Sequence, residues 1–164
     1  MHHRIHTTRT ERHMNQDAIA EYITNTFSDV ATQTAYGYLF YFFGSNRKMP
    51  FATIATKDAE HETYSNLQRP GVFRLNIGVK RATYRAMFGD SPKASEAVAT
   101  PKGDYDTELD KLLPHPEYAA QSWVCVVNPG PRTLQTVKEL LAEAHEIATS
   151  RGGGAQVEVG SASA

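Results

Sequence analysis

Apolar residues along this chain change their spacing several times, and each change predicts an element. In "NQDAIAEYITNTF", residues 15–27, Ile19, Ile23 and Phe27 recur every fourth position and Tyr22 widens the stripe. That period predicts an amphipathic helix, capped by Asn15 or Asp17. "YGYLFYFFG", 36–44, is aromatic throughout and predicts a strand. It puts Tyr36, Tyr38, Phe40 and Phe42 on one face, and Leu39, Tyr41 and Phe43 on the other. A "GSNRKMP" turn follows, then "FATIATKD" as the hairpin partner. "AEHETYSNLQRPG" is polar and broken by Pro70 and Gly71, hence a loop.

"VFRLNIGV", 72–79, is a further strand whose alternation sends Phe73, Leu75, Ile77 and Val79 one way and Arg74, Asn76 and Gly78 the other. "KRATYRAMFG" then fits a short helix stopped by Gly89. Residues 90–103, with Pro92, Pro101 and Gly103, read as an exposed connection. In "DYDTELDKLLPHPEY", Asp106 or Thr107 would cap a helix carrying Leu109, Leu112 and Leu113, ended by Pro114. "SWVCVVNPGP" predicts the last strand, and Leu134, Val137, Leu141, Ala144 and Ala148 mark the final helix. The order is α-β-β-β-α-(α)-β-α, an α+β domain with a mostly antiparallel sheet of about four strands and packed helices.

The ends differ from this patterned middle. "MHHRIHTTRTERH", 1–13, is basic, rich in histidine and without apolar periodicity, and Met14 is a natural start, so 1–13 reads as a flexible extension. From Arg151 the chain turns glycine- and serine-rich, which predicts a flexible tail over 151–164. Residues 14–150 make one domain, the size that a core of this length supports. With 17 basic against 18 acidic side chains the formal net charge is −1, so no global field draws in nucleic acid or an anionic membrane. No apolar run reaches the roughly 18 residues of a membrane span. The single Cys125 forms no internal disulfide, and a cytoplasmic location is the simplest expectation.

"MPFATIAT", "RPGVFRLNIGV" and "LPHPEYAAQSWVCVVNP" together resemble a small uncharacterised domain-of-unknown-function family, over roughly residues 14 to 150. More distantly, residues 114–148 resemble the C-terminal half of MmcQ/YjbR-like domains, in which a His-Pro segment precedes a Trp-bearing strand and a final helix. The chain departs from that wider pattern where Ala144 and His145 replace its usual Ser-Tyr. The wider resemblance implies a "double-wing" fold of the kind seen in DNA-binding proteins, without a settled activity.

Candidate chemistry concentrates on the sheet face opposite the helices. Arg74 and Asn76 among aromatic side chains are the few polar groups in an apolar setting that ligand pockets show, with a guanidinium fork suited to a carboxylate or phosphate. The competing reading pairs Arg74 with Asp104, Asp106 or Glu117 inside the fold. His115, held extended between Pro114 and Pro116, is a candidate general acid or base, or else a lock on its own turn. Tyr118 and Trp123 would wall the pocket, or pack in the core. Cys125 reads as a small buried hydrophobe. His61 between Glu60 and Glu62, and the N-terminal histidines, have no fixed ligand geometry, so no metal is expected; no motif supports a cofactor. The expected function is binding of a small polar or anionic organic ligand on an aromatic-lined sheet face. The alternatives are a cofactor-independent enzyme using His115, or a nucleic-acid or protein interaction module using Arg47, Lys48, Lys80, Arg81 and Arg85.

Overall fold

The computed structural model describes residues 14–45, 47–59, 63–90 and 104–163, with residues 104, 106 and 152–163 by backbone alone. In chain order the elements are α1 (Gln16–Thr26), β1 (Val30–Ala35), β2 (Tyr38–Phe43), β3 (Ala52–Ala55), β4 (Arg74–Gly78), α2 (Arg81–Phe88), the one-turn α3 (Asp104–Thr107), β5 (Leu112–Pro114), a 3-10 turn (Ala119–Gln121), β6 (Trp123–Val127) and α4 (Leu134–Ser163). The α+β class is as the pattern predicts, but the sheet has six strands, all antiparallel, in the order β1-β2-β3-β4-β6-β5.

Two strands correct the expected count. β1 was not predicted: its Val-Ala-Thr-Gln-Thr-Ala sequence has too few apolar residues for a period-2 signal. It joins β2 through Tyr36 (φ 54°) and Gly37 (φ 79°), and two consecutive positive φ values make this a type I′ turn. Tyr36 therefore sits at the hairpin tip rather than on a strand. The second correction is β5, which replaces the expected helix through Leu109, Leu112 and Leu113. Those leucines have helical spacing, but Pro114 and Pro116 force the residues before them to be extended, and Leu112–Pro114 pairs with β6 instead.

One face of the sheet carries the main core. Ile19 and Ile23 of α1 and Val137, Leu140, Leu141 and Ala144 of α4 pack on Tyr41, Ile54, Leu75, Ile77, Val124 and Val126. Asn15 caps α1, its side-chain oxygen accepting from the Ala18 N–H at 2.9 Å. Glycine ends α2 as expected, with Gly89 at φ 84°. The helical span of α4 includes the glycine-rich stretch from Arg151 that the sequence marks as a tail.

The start of α4 is tied to the segment that leads into β5. The Asp110 carboxylate accepts from the N–H groups of Gly130 (2.7 Å), Arg132 (2.9 Å) and Thr133 (3.1 Å) and from the Thr133 hydroxyl (2.6 Å). Burial alone would raise its pKa, but these four bonds hold it below the usual carboxylate range.

Candidate functional site

The second sheet face holds the predicted residues, and strand register explains how. Asn76 lies opposite Thr53 on one side and Cys125 on the other, and Arg74 lies between Ala55 and Val127. A hydrogen-bonded chain crosses this face. The Asn76 amide donates to Thr53 Oγ1 at 2.9 Å, Arg74 Nε donates to Asn76 Oδ1 at 2.9 Å, and Arg74 Nη1 donates to Ser65 Oγ at 3.0 Å. Arg74 and Ser65 have no solvent exposure, and Asn76 has 1%. A buried guanidinium is tolerated only where the fold supplies acceptors, and Ser65 in the polar loop is one that no sequence period marks.

Next to this chain is a small second core of Tyr105, Leu113 and Cys125, flanked by Tyr64. The Tyr105 hydroxyl donates to the Pro114 carbonyl at 2.7 Å, which fastens α3 to β5. Arg74 and Asn76 thus lie under cover, not at a rim. Of the carboxylates that the sequence offers Arg74, Glu117 is exposed on the surface, while the Asp104 and Asp106 side chains lie outside the described residues. Residues 60–62, with His61, and the histidines of 1–13 lie outside them too.

His115, Tyr118 and Trp123 do come together. The His115 ring is 4.9 Å from the Tyr118 ring and meets Trp123 edge-on at 6.4 Å. His115 is buried, and its N–H donates to the Trp123 carbonyl, which continues the β5–β6 pairing. Its Nδ1 accepts from the backbone N–H groups of Glu117 and Tyr118, both at 3.0 Å. Two donors at Nδ1 assign the ring proton to Nε2. Burial, and after it the positive charge of Arg74, holds the imidazole well below its ordinary pKa. The ring is therefore a neutral donor through Nε2, and while both Nδ1 bonds stand it has no free lone pair to take a proton.

Trp123 also lines an open cavity of about 230 Å³ at the end of the sheet, together with Phe43, Met49, Phe51, Gly78, Ile147 and Arg151. Arg74, Asn76, His115 and Tyr118 are not in its lining. Gly78 is what lets the indole lie there. It pairs with Trp123 across β4 and β6, and a Cβ at residue 78 would stand 2.8 Å from Trp123 Cε2. Sequence spacing gives no sign of this pairing, because the two residues are brought together by register alone.

Three of the five basic residues of the candidate interaction cluster are engaged by other groups. Arg47 lies 5.8 Å over the Phe42 ring, Lys80 is 4.0 Å from Glu146, and Arg85 is 3.0 Å from Asp90. Among the described residues, no helix is long and apolar enough to cross a membrane.

A family model matches residues 14–156, most of the chain, and so takes in the sheet, the buried polar chain and the cavity. The chain belongs to DUF6194, a family of unknown function. The DUF6194 match spans every element that builds the site, from α1 into α4. No curated protein and no solved structure matches the chain.

Proposed function

We propose that this DUF6194 domain binds a small organic acid, with its planar or apolar body against Trp123 and its carboxylate toward Arg151. The single observation behind this reading is the cavity floored by the Trp123 indole over Gly78. Its walls, Phe43, Phe51, Met49 and Ile147, are apolar, and Gln121 and Arg151 supply the polar groups. Apolar walls with a few polar groups are the usual make-up of a ligand site. Arg74 and Asn76 enter this reading as positioning residues, which set β4 and with it Gly78. His115 serves in the same way, meeting the indole edge-on, and the Tyr118 carbonyl accepts from the Trp123 N–H.

A distant kinship with MmcQ/YjbR-like domains is part of the proposal. It is supported by the His115–Pro116 segment before the Trp123 strand and the final helix after it. The formal net charge of −1 supports a small ligand over nucleic acid as the partner.

Trp123 is the only tryptophan, so its fluorescence reports on the surroundings of the one indole that lines this cavity. Titration with benzoate and with short aliphatic carboxylates should change that emission saturably. Arg151→Gln should weaken binding about fivefold, the equivalent of ~1 kcal/mol for an exposed ion pair. If no carboxylate perturbs Trp123, or if neither Arg151→Gln nor Phe51→Ala alters the titration, the reading fails.

A further inference from the structure

We infer that β1 is a homodimerisation edge, through which two copies of the chain join their sheets by antiparallel pairing about a two-fold axis at Gln33. Among the described residues β1 is the outer strand of the sheet, and Thr32, Gln33 and Thr34 are exposed. Edge strands are ordinarily guarded by a charge, a proline or a bulge. β1 has none of these: Val30–Ala35 is uncharged, and its six pairs with β2 run without interruption.

The strand is also its own complement. Residues 31–35 read Ala-Thr-Gln-Thr-Ala, the same in both directions. An antiparallel copy centred on Gln33 sets Thr32 opposite the partner subunit's Thr34 and Ala31 opposite the partner subunit's Ala35. Gln33 meets the partner's Gln33. Threonine pairs opposite one another are favourable cross-strand neighbours, and no like charges meet.

Hydrogen-bond parity permits this register. Ala35 and Tyr38 close the two-residue hairpin loop, and the Gly44 N–H donates to the Asp29 carbonyl at 2.7 Å. Because bonded and non-bonded positions alternate, residues 29, 31, 33 and 35 turn their backbone groups toward β2. Residues 30, 32 and 34 turn theirs outward. In the register centred on Gln33, Thr32 meets the partner's Thr34, so both members of each bonded pair present outward groups.

Tyr36 supplies an independent observation. It is 91% exposed and holds a left-handed backbone at φ 54°, at a turn position where asparagine or glycine is ordinarily found. Among the described residues no side chain covers that ring. In the proposed dimer it falls beside the partner subunit's Val30, which is half-buried in the single chain.

The test is a charge swap read by sedimentation or light scattering on the full chain. Wild type should weigh twice the 18.2 kDa of one chain at tens of micromolar. Thr32→Lys with Thr34→Lys places lysines opposite one another and should raise the dimer dissociation constant at least tenfold. Thermal melts of the isolated protomer should not change, since both side chains face solvent. Thr32→Glu with Thr34→Lys places Glu against Lys only in the register centred on Gln33, and should restore the dimer. A monomeric wild type overturns the inference, as does a dimer indifferent to the double lysine variant. A Glu/Lys variant as dissociated as the double lysine one also overturns it.

Discussion

Replacing Asp110 tests whether the turn before α4 is held by charge. Asp110→Ala removes an acceptor of four hydrogen bonds, three from backbone N–H groups that precede or open the helix. Hydrogen bonds to an ionised group contribute roughly 1.5–3 kcal/mol. The released N–H groups can be partly rehydrated because Asp110 is only half-buried, so the expected loss is about 2–3 kcal/mol in all. For a chain of this size that is a fall in Tm of roughly 4–12 °C. Asp110→Asn keeps one acceptor oxygen without the charge and should lose about half as much. The folded-state pKa of Asp110 is depressed. Its contribution is therefore complete above the unfolded carboxyl value of about 3.9 and lost as pH falls through the lower folded value. Melts followed by circular dichroism from pH 7 to pH 2.5 should show the wild-type and Asp110→Ala curves drawing together toward the acid end without meeting, since alanine is also strained at the left-handed backbone of residue 110 (φ 54°) at every pH. A gap that stays constant to pH 2.5, or one below about 1 °C at pH 7, would refute the assignment of that stability to the ionised carboxylate.

Other substitutions have equally direct readouts. Gly78→Ala sets a methyl group into the Trp123 indole and should cost about 1–3 kcal/mol, with a shift in tryptophan emission that an unrelated strand mutation would not produce. The Tyr41 hydroxyl is buried with no hydrogen-bond partner among the described residues, and burial pushes its pKa up to about 12. Tyr41→Phe should accordingly be neutral or stabilise by about 1 kcal/mol in a chemical melt; a loss of stability would mean that the hydroxyl has a partner. His115 has its folded pKa lowered, so the unfolded chain takes its proton first. Wild-type stability should therefore fall as pH drops below about 6.5, while His115→Asn, whose side-chain oxygen can accept in place of Nδ1, should lack that component in urea melts at pH 7 and pH 5.

How much of this was legible depended on whether the signal was local. The alternation of Phe73, Leu75, Ile77 and Val79 against Arg74 and Asn76 needs no partner to be read, and all four apolar residues do enter the main core. Asn15 as a cap and Gly89 as a stop are equally local. β1 escaped because an edge strand need bury little, and its turn is Tyr-Gly where Asn-Gly would have marked a hairpin. β5 is hidden in the sequence because three leucines at helical spacing compete with two prolines, and a three-residue strand is too short to show a period. Ser65, and the meeting of Gly78 with Trp123, depend on contacts between distant segments, and nothing in either segment foretells the other.

The polar residues of β4 have a consequence for register. A slip of one residue exchanges the two faces of a strand. On most strands that would expose Leu75 and Ile77 and bury small polar groups. Here it would also drive the Arg74 guanidinium among Ile19, Ile23 and Leu141, where no acceptor waits, at a cost of several kcal/mol. The chain of bonds through Thr53, Asn76, Arg74 and Ser65 thus penalises the wrong register more than it stabilises the right one. β4 sits near the centre of the sheet and pairs with both β3 and β6, so fixing it fixes its neighbours. Gly78 then falls opposite Trp123, and the indole lies close against it. The polar residues that look out of place on a core strand thus favour the register in which Gly78 meets Trp123.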